Sequence, residues 1–81
     1  MYNLPEDMCF LSLLHNIGAI SPNKSLTAEE ISRWTAMDYK RVMENLSKLI
    51  DEKYVEVYLS NGVPKYYVTV NGMRKVLSIY S

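Results

Sequence analysis

The sequence predicts an α+β domain in which three helices precede a β-hairpin and a fourth helix follows it. Three observations carry that prediction. Thr27 and Glu30 have the spacing of a capping box, and a second N-cap residue, Asp38, follows 11 positions after Thr27. After Lys53 the apolar period changes from about 3.6 to 2. Asn61-Gly62 then separates two alternating runs, which is the strongest short hairpin signal. At 81 residues the chain has room for one such domain, expected over 1–81.

The first helix is expected over about 5–17. Pro5 suits a first-turn position whose N–H would have no partner, Glu6 and Asp7 complement the positive helix end, and Gly18 supplies a left-handed stop. Cys9, Phe10, Leu11, Leu13, Leu14 and Ile17 sweep an apolar arc of about 200°, where a helix packed on one side needs about 100°. Packing on two sides is expected, with Cys9 a small buried hydrophobe. Pro22 and Asn23 mark a turn within a connector over 19–25.

The capping box opens a short second helix over 28–36, with Leu26 and Ile31 as its hydrophobic staple and Trp34 at or near the core. Met37 and Val42 staple the third helix, 39–52, which buries Val42, Leu46, Leu49 and Ile50. So few residues join these two helices that they must meet at a sharp angle. In the hairpin, over 54–69, a two-residue loop pairs Ser60 with Val63, Val57 with Tyr66 and Val55 with Val68. The apolar partners then share one face, and Pro64 falls near the strand end, where proline is tolerated. Thr69 caps a last helix over 70–80, whose Val70, Met73, Val76, Leu77 and Tyr80 form another wide arc.

Hydrophobic residues make up 48% and charged residues 22%, a globular composition rather than a disordered one. No apolar stretch approaches the ~18 residues of a membrane span and no cleavable signal peptide is visible, so a cytoplasmic, reduced setting is expected. Cys9 is the single cysteine, which excludes an intramolecular disulfide and a Cys-based zinc site. His15 has no second histidine or acidic cluster near it in sequence, so neither a metal nor another cofactor is expected. The chain offers no glycine-rich phosphate loop, no nucleophile with a base and no carboxylate pair on a concave scaffold; an enzyme is not expected. Nine basic residues balance nine acidic ones, but unevenly: residues 1–23 carry −2, 24–53 carry 0 and 54–81 carry +2.

The order of short capped helix, tight turn, longer helix and hairpin resembles the winged helix-turn-helix family of DNA-binding domains, in particular its small repressor-like regulators. The resemblance covers about residues 26–75. It is carried by Leu26-Thr27-Ala28-Glu29-Glu30-Ile31, by the run from Met37 to Ile50, by Tyr54-Val55-Glu56-Val57, and by Tyr67-Val68-Thr69-Val70-Asn71-Gly72 at the wing's exit. The sequence departs from the family pattern in two places. Lys53-Tyr54 stands where a glycine is common, and the wing has one basic residue, Lys65.

The fold so implied would place the third helix in the major groove of double-stranded DNA. Opposite its apolar stripe this helix presents Lys40, Arg41, Glu44, Ser47, Lys48 and Asp51. Arg41 can donate two hydrogen bonds to a guanine and Glu44 can accept from a cytosine amino group, while Lys40, Ser47 and Lys48 suit phosphates. Glu44 also has Lys40 and Lys48 one turn away on either side. Thr27, at the start of the second helix, can approach a phosphate, although capping alone accounts for it. Arg33 either reaches phosphate or is only solvated, and Lys65 is a candidate phosphate contact from the wing. Tyr58 and Tyr67 read as an aromatic pair on the sheet surface rather than a base-stacking platform.

The over-wide arcs of the first and last helices, the elements such regulators commonly use to dimerise, imply a homodimer and a palindromic site. No small-molecule ligand is expected. The alternative is a winged-helix module that docks a protein partner without reading DNA, which the zero net charge, Glu44 and the sparse wing favour.

Overall fold

Helix boundaries in the computed structural model, which describes residues 4–80, are set by caps more than by composition. The order is α1 (Glu6–Asn16), a single 3-10 turn (Pro22–Lys24), α2 (Ala28–Thr35), α3 (Tyr39–Asp51), β1 (Val55–Ser60), β2 (Val63–Val68) and α4 (Val70–Ile79). The outermost residues of the expected 1–81 domain lie outside the described residues. Three helices start on side-chain caps. The hydroxyl of Thr27 accepts from the Glu30 amide at 3.1 Å, the Asp38 carboxylate from the Arg41 amide at 2.9 Å, and the Thr69 hydroxyl from the Gly72 amide at 3.0 Å.

Left-handed residues stop the first three helices. Gly18 (φ 88°) ends α1 with its amide on the His15 carbonyl and the Ala19 amide on the Leu14 carbonyl, both at 3.1 Å, which is a Schellman motif. Lys53 (φ 67°) ends α3 with the same pair of bonds, to Ile50 at 3.0 Å and from Tyr54 to Leu49 at 2.9 Å. A lysine therefore adopts a left-handed conformation that ordinarily favours glycine. Ala36 (φ 59°) closes α2, and only Ala36, Met37 and Asp38 separate it from α3. The Ser32 hydroxyl, donating to the Met37 carbonyl at 2.5 Å, ties that turn back onto α2.

The hairpin has the register that the sequence predicts, from Val55 opposite Val68 to Ser60 opposite Val63. Asn61 (φ 51°) and Gly62 (φ 79°) both have positive φ, as a type I′ turn requires. The sequence gives no sign of what covers the other edge of β2. Leu26 does, exchanging two backbone bonds with Tyr66 at 3.0 and 2.7 Å, and the Val68 amide donates to the Ala19 carbonyl at 2.7 Å. Ala19 of the expected connector and Leu26 just after it thus satisfy a sheet edge that would otherwise stand open.

One core joins Phe10, Leu11 and Leu14 of α1 to Ile31 of α2, Val42, Leu46 and Leu49 of α3, Val55 and Val68 of the hairpin and Val76 of α4. Two expected members lie outside it. Trp34 is 64% exposed, because it sits roughly 60° past Ile31 around a helix that buries Ala28 and Ile31. Cys9 is exposed, on a face of α1 shared with Leu13 and Asn16, while Phe10, Leu11, Ser12 and Leu14 turn inward. The hairpin's apolar face is covered at its base and on the β2 side, where Tyr66 is also buried. Val55 and Val68 are buried, whereas Val57 and Leu59, further out, are 46% and 64% exposed.

Candidate nucleic-acid interface

Burial of Val42, Asn45, Leu46 and Leu49 fixes how α3 is turned. Lys40, Arg41, Glu44, Ser47 and Lys48 consequently all lie exposed along its outer side, with Tyr39 and Asp51 at the two ends. Around the helix, Lys40, Glu44 and Ser47 lie near the middle of that outer side, and Arg41 lies toward α1.

Arg41 has an internal partner. Its Nη2 donates to Oε1 of Glu6, in the first turn of α1, at 2.6 Å, with both side chains about half exposed. The other Glu6 oxygen accepts from Asn45 Nδ2 at 2.8 Å, and the same Nδ2 donates to the Arg41 carbonyl at 2.9 Å. Asn45 is 3% exposed, so both of its N–H groups are satisfied inside the fold. These contacts hold the Glu6 carboxyl below the usual carboxylate range, first through the Arg41 hydrogen bond and then through Asn45. The same bond raises Arg41 above its ordinary value.

From sequence alone Glu6 has only a helix-dipole role, and Asn45 is not among the expected site residues. The polar Asn45 inside an apolar stripe, four residues after Arg41, was a readable signal. The pairing of Glu6 with residues 35 and 39 positions away was not.

The remaining expected contacts are more dispersed. Thr27 is committed to the capping box: its amide donates to Glu30 Oε1 at 2.9 Å and its hydroxyl caps the helix. The Thr27 amide is the main cause of a lowered Glu30 pKa, to which Lys65 and Arg33 add through their charges. Arg33 is exposed and lines a shallow hollow with Glu30 and Trp34. Lys65 is half-buried on β2, opposite Tyr58. Tyr67 donates its hydroxyl to Glu56 across the hairpin, which raises the Tyr67 pKa. The outer wing therefore presents Val57, Leu59 and Val63 rather than cations.

Among the described residues no group of three or more His, Cys, Asp or Glu side chains could hold a metal ion, and no helix is long and apolar enough to cross a membrane.

No protein-family model matches the chain, and no curated protein matches it. Several solved structures are similar. The DNA-binding TubR fragment from Clostridium botulinum superposes with a TM-score of 0.80 at 22% identity, over 98% of this chain and 99% of that one. A protein of unknown function from Listeria innocua superposes with a TM-score of 0.72 at 19% identity, over 98% of this chain but 52% of that one. With three helices, the paired wing strands and a closing helix in this order, the chain has the α+β winged helix-turn-helix fold.

Proposed function

We propose that this chain is a small regulator that binds double-stranded DNA as a homodimer, with α3 in the major groove. The observation that carries the reading is the outer side of α3, which offers Lys40, Ser47 and Lys48 on a helix held by a three-residue turn against α2. The similarity to a DNA-binding fragment supports it. In this reading Lys40, Glu44 and Ser47 face base edges or nearby phosphates and Lys48 a flanking phosphate. Arg33, Lys65 and the amide end of α2 at Thr27 face the DNA backbone.

In this reading the second copy packs against α1 and α4, which is supported by the exposure of Leu13, Val70, Leu77 and Tyr80 at 41%, 60%, 62% and 66%. A two-fold dimer calls for a palindromic site with half-sites about 10 or 20 bp apart.

The test is anisotropy of a labelled mixed-sequence duplex at ~50 and ~200 mM salt, with Lys40→Ala/Lys48→Ala beside the natural chain. Affinity should fall steeply with salt, and the double variant should lose about two phosphates' worth of salt slope, roughly 1.8. No binding at the lower salt, or binding indifferent to both substitutions, would overturn it. That result would favour the second reading, a module docking a protein, for which the apolar outer wing is the supporting observation.

A further inference from the structure

The Glu6–Arg41–Asn45 cluster is not explained by stability. A half-exposed ion pair is screened by solvent and contributes little to stability. Yet it is an organised contact rather than an incidental one. Asn45 is almost fully buried and uses one N–H of its amide to hold Glu6 Oε2 at 2.8 Å, which leaves Oε1 aimed at Arg41 Nη2 at 2.6 Å. The core thus fixes the carboxylate, and the carboxylate fixes the guanidinium on the α1 side of α3.

The effect on charge is specific. The outer side of α3 has three cations, Lys40, Arg41 and Lys48, beside two anions, Glu44 and Asp51. Pairing Arg41 internally leaves two against two. Non-specific affinity for DNA depends on how many phosphates the protein neutralises, whereas specific affinity adds base contacts that do not scale that way. A carboxylate that occupies one interface cation lowers the first quantity more than the second.

Resting on the DNA-binding reading above, we propose that Glu6 is a specificity-determining residue: its carboxylate keeps Arg41 out of non-specific phosphate contact. Glu6 touches no base in this scheme; it acts by positioning Arg41.

The test is Glu6→Gln, which retains an oxygen acceptor for Asn45 but removes the charge that holds Arg41. Binding to a mixed-sequence duplex is compared by anisotropy at ~50 and ~200 mM salt. Glu6→Gln should bind several-fold more tightly at the lower salt, with a salt slope steeper by about 0.9, so that its advantage shrinks about threefold at the higher salt. Asp7→Asn removes the same charge one residue away and should give a smaller gain with no change of slope. Combining Glu6→Gln with Arg41→Ala should abolish the gain, and circular dichroism checks that each variant is folded.

Equal affinity of Glu6→Gln and the natural chain would overturn the proposal and leave the DNA-binding reading intact. So would weaker binding by folded Glu6→Gln, since Glu6 would then be preparing Arg41 for contact, and so would a gain that survives Arg41→Ala. Failure of the natural chain to bind at the lower salt would overturn the DNA-binding reading and this proposal with it.

Discussion

Gly72 lies inside α4, where helix propensity alone predicts that alanine would be better by about 1 kcal/mol. The packing reverses the sign. A Cβ there would stand 2.2 Å from the Tyr54 carbonyl oxygen and 2.7 Å from Val68 Cγ1, and the first of these is backbone that cannot swing aside. Overpacking of this kind costs about 1–3 kcal/mol, so Gly72→Ala should lower the urea midpoint despite its better propensity. A raised midpoint would show that α4 can slide away from β2 without loss. The sequence shows a glycine after the wing but not its reason, which is an approach between segments 18 residues apart. Trp34 and Cys9 are illegible for a related cause. Both occupy apolar arcs on helices of 8 and 11 residues, and a wheel that short does not say which edge of an arc a neighbouring element will cover.

Elements were far more legible than single side chains, because caps and periodicity are local. Thr27 with Glu30, Asp38, Thr69 and the Asn61-Gly62 pair act within four residues of themselves, and the structure uses each one as its chemistry dictates. What needed a partner from elsewhere stayed hidden, as with Leu26 against Tyr66 and Ala19 against Val68. The stop of α3 falls between these cases. The sequence lacks a glycine there, yet the Schellman bonds form and force Lys53 to φ 67°. A left-handed non-glycine residue costs about 1–2 kcal/mol, while glycine's extra freedom in the unfolded chain costs about 0.4–1 kcal/mol. Lys53→Gly should therefore stabilise the domain, by up to about 1.6 kcal/mol, raising the urea midpoint without changing the slope. The carbonyl of residue 53, which accepts from the Thr69 hydroxyl at 2.8 Å, is retained in the variant. An unchanged or lower midpoint would mean that the lysine side chain contributes more than its backbone strain costs.

At the scale of the whole molecule, two apolar surfaces compete for a partner. One is the outer wing, where Val57 and Leu59 share a face; the other is offered by two helices that pack together, through Leu13 of α1 and Val70, Leu77 and Tyr80 of α4. The proposed dimer uses the second. A two-fold axis there would bury each of its side chains twice, at about 1.5–3 kcal/mol for a fully covered large apolar residue. Dimerisation through the wing would instead occupy the hairpin next to α3 and crowd the groove-facing helix. Sedimentation equilibrium should give a mass of twice the 9.4 kDa chain. Leu77→Glu should return it to the single-chain mass, because charges brought together across the axis repel and lose hydration. Leu59→Glu, on the wing, should leave the dimer unchanged. The Leu77 variant should also bind a palindromic duplex less tightly while keeping much of its affinity for a single half-site, since the link between two reading heads is broken but neither head is altered. A natural chain that sediments at 9.4 kDa would remove the dimer, and dissociation by Leu59→Glu in place of Leu77→Glu would move the axis to the wing.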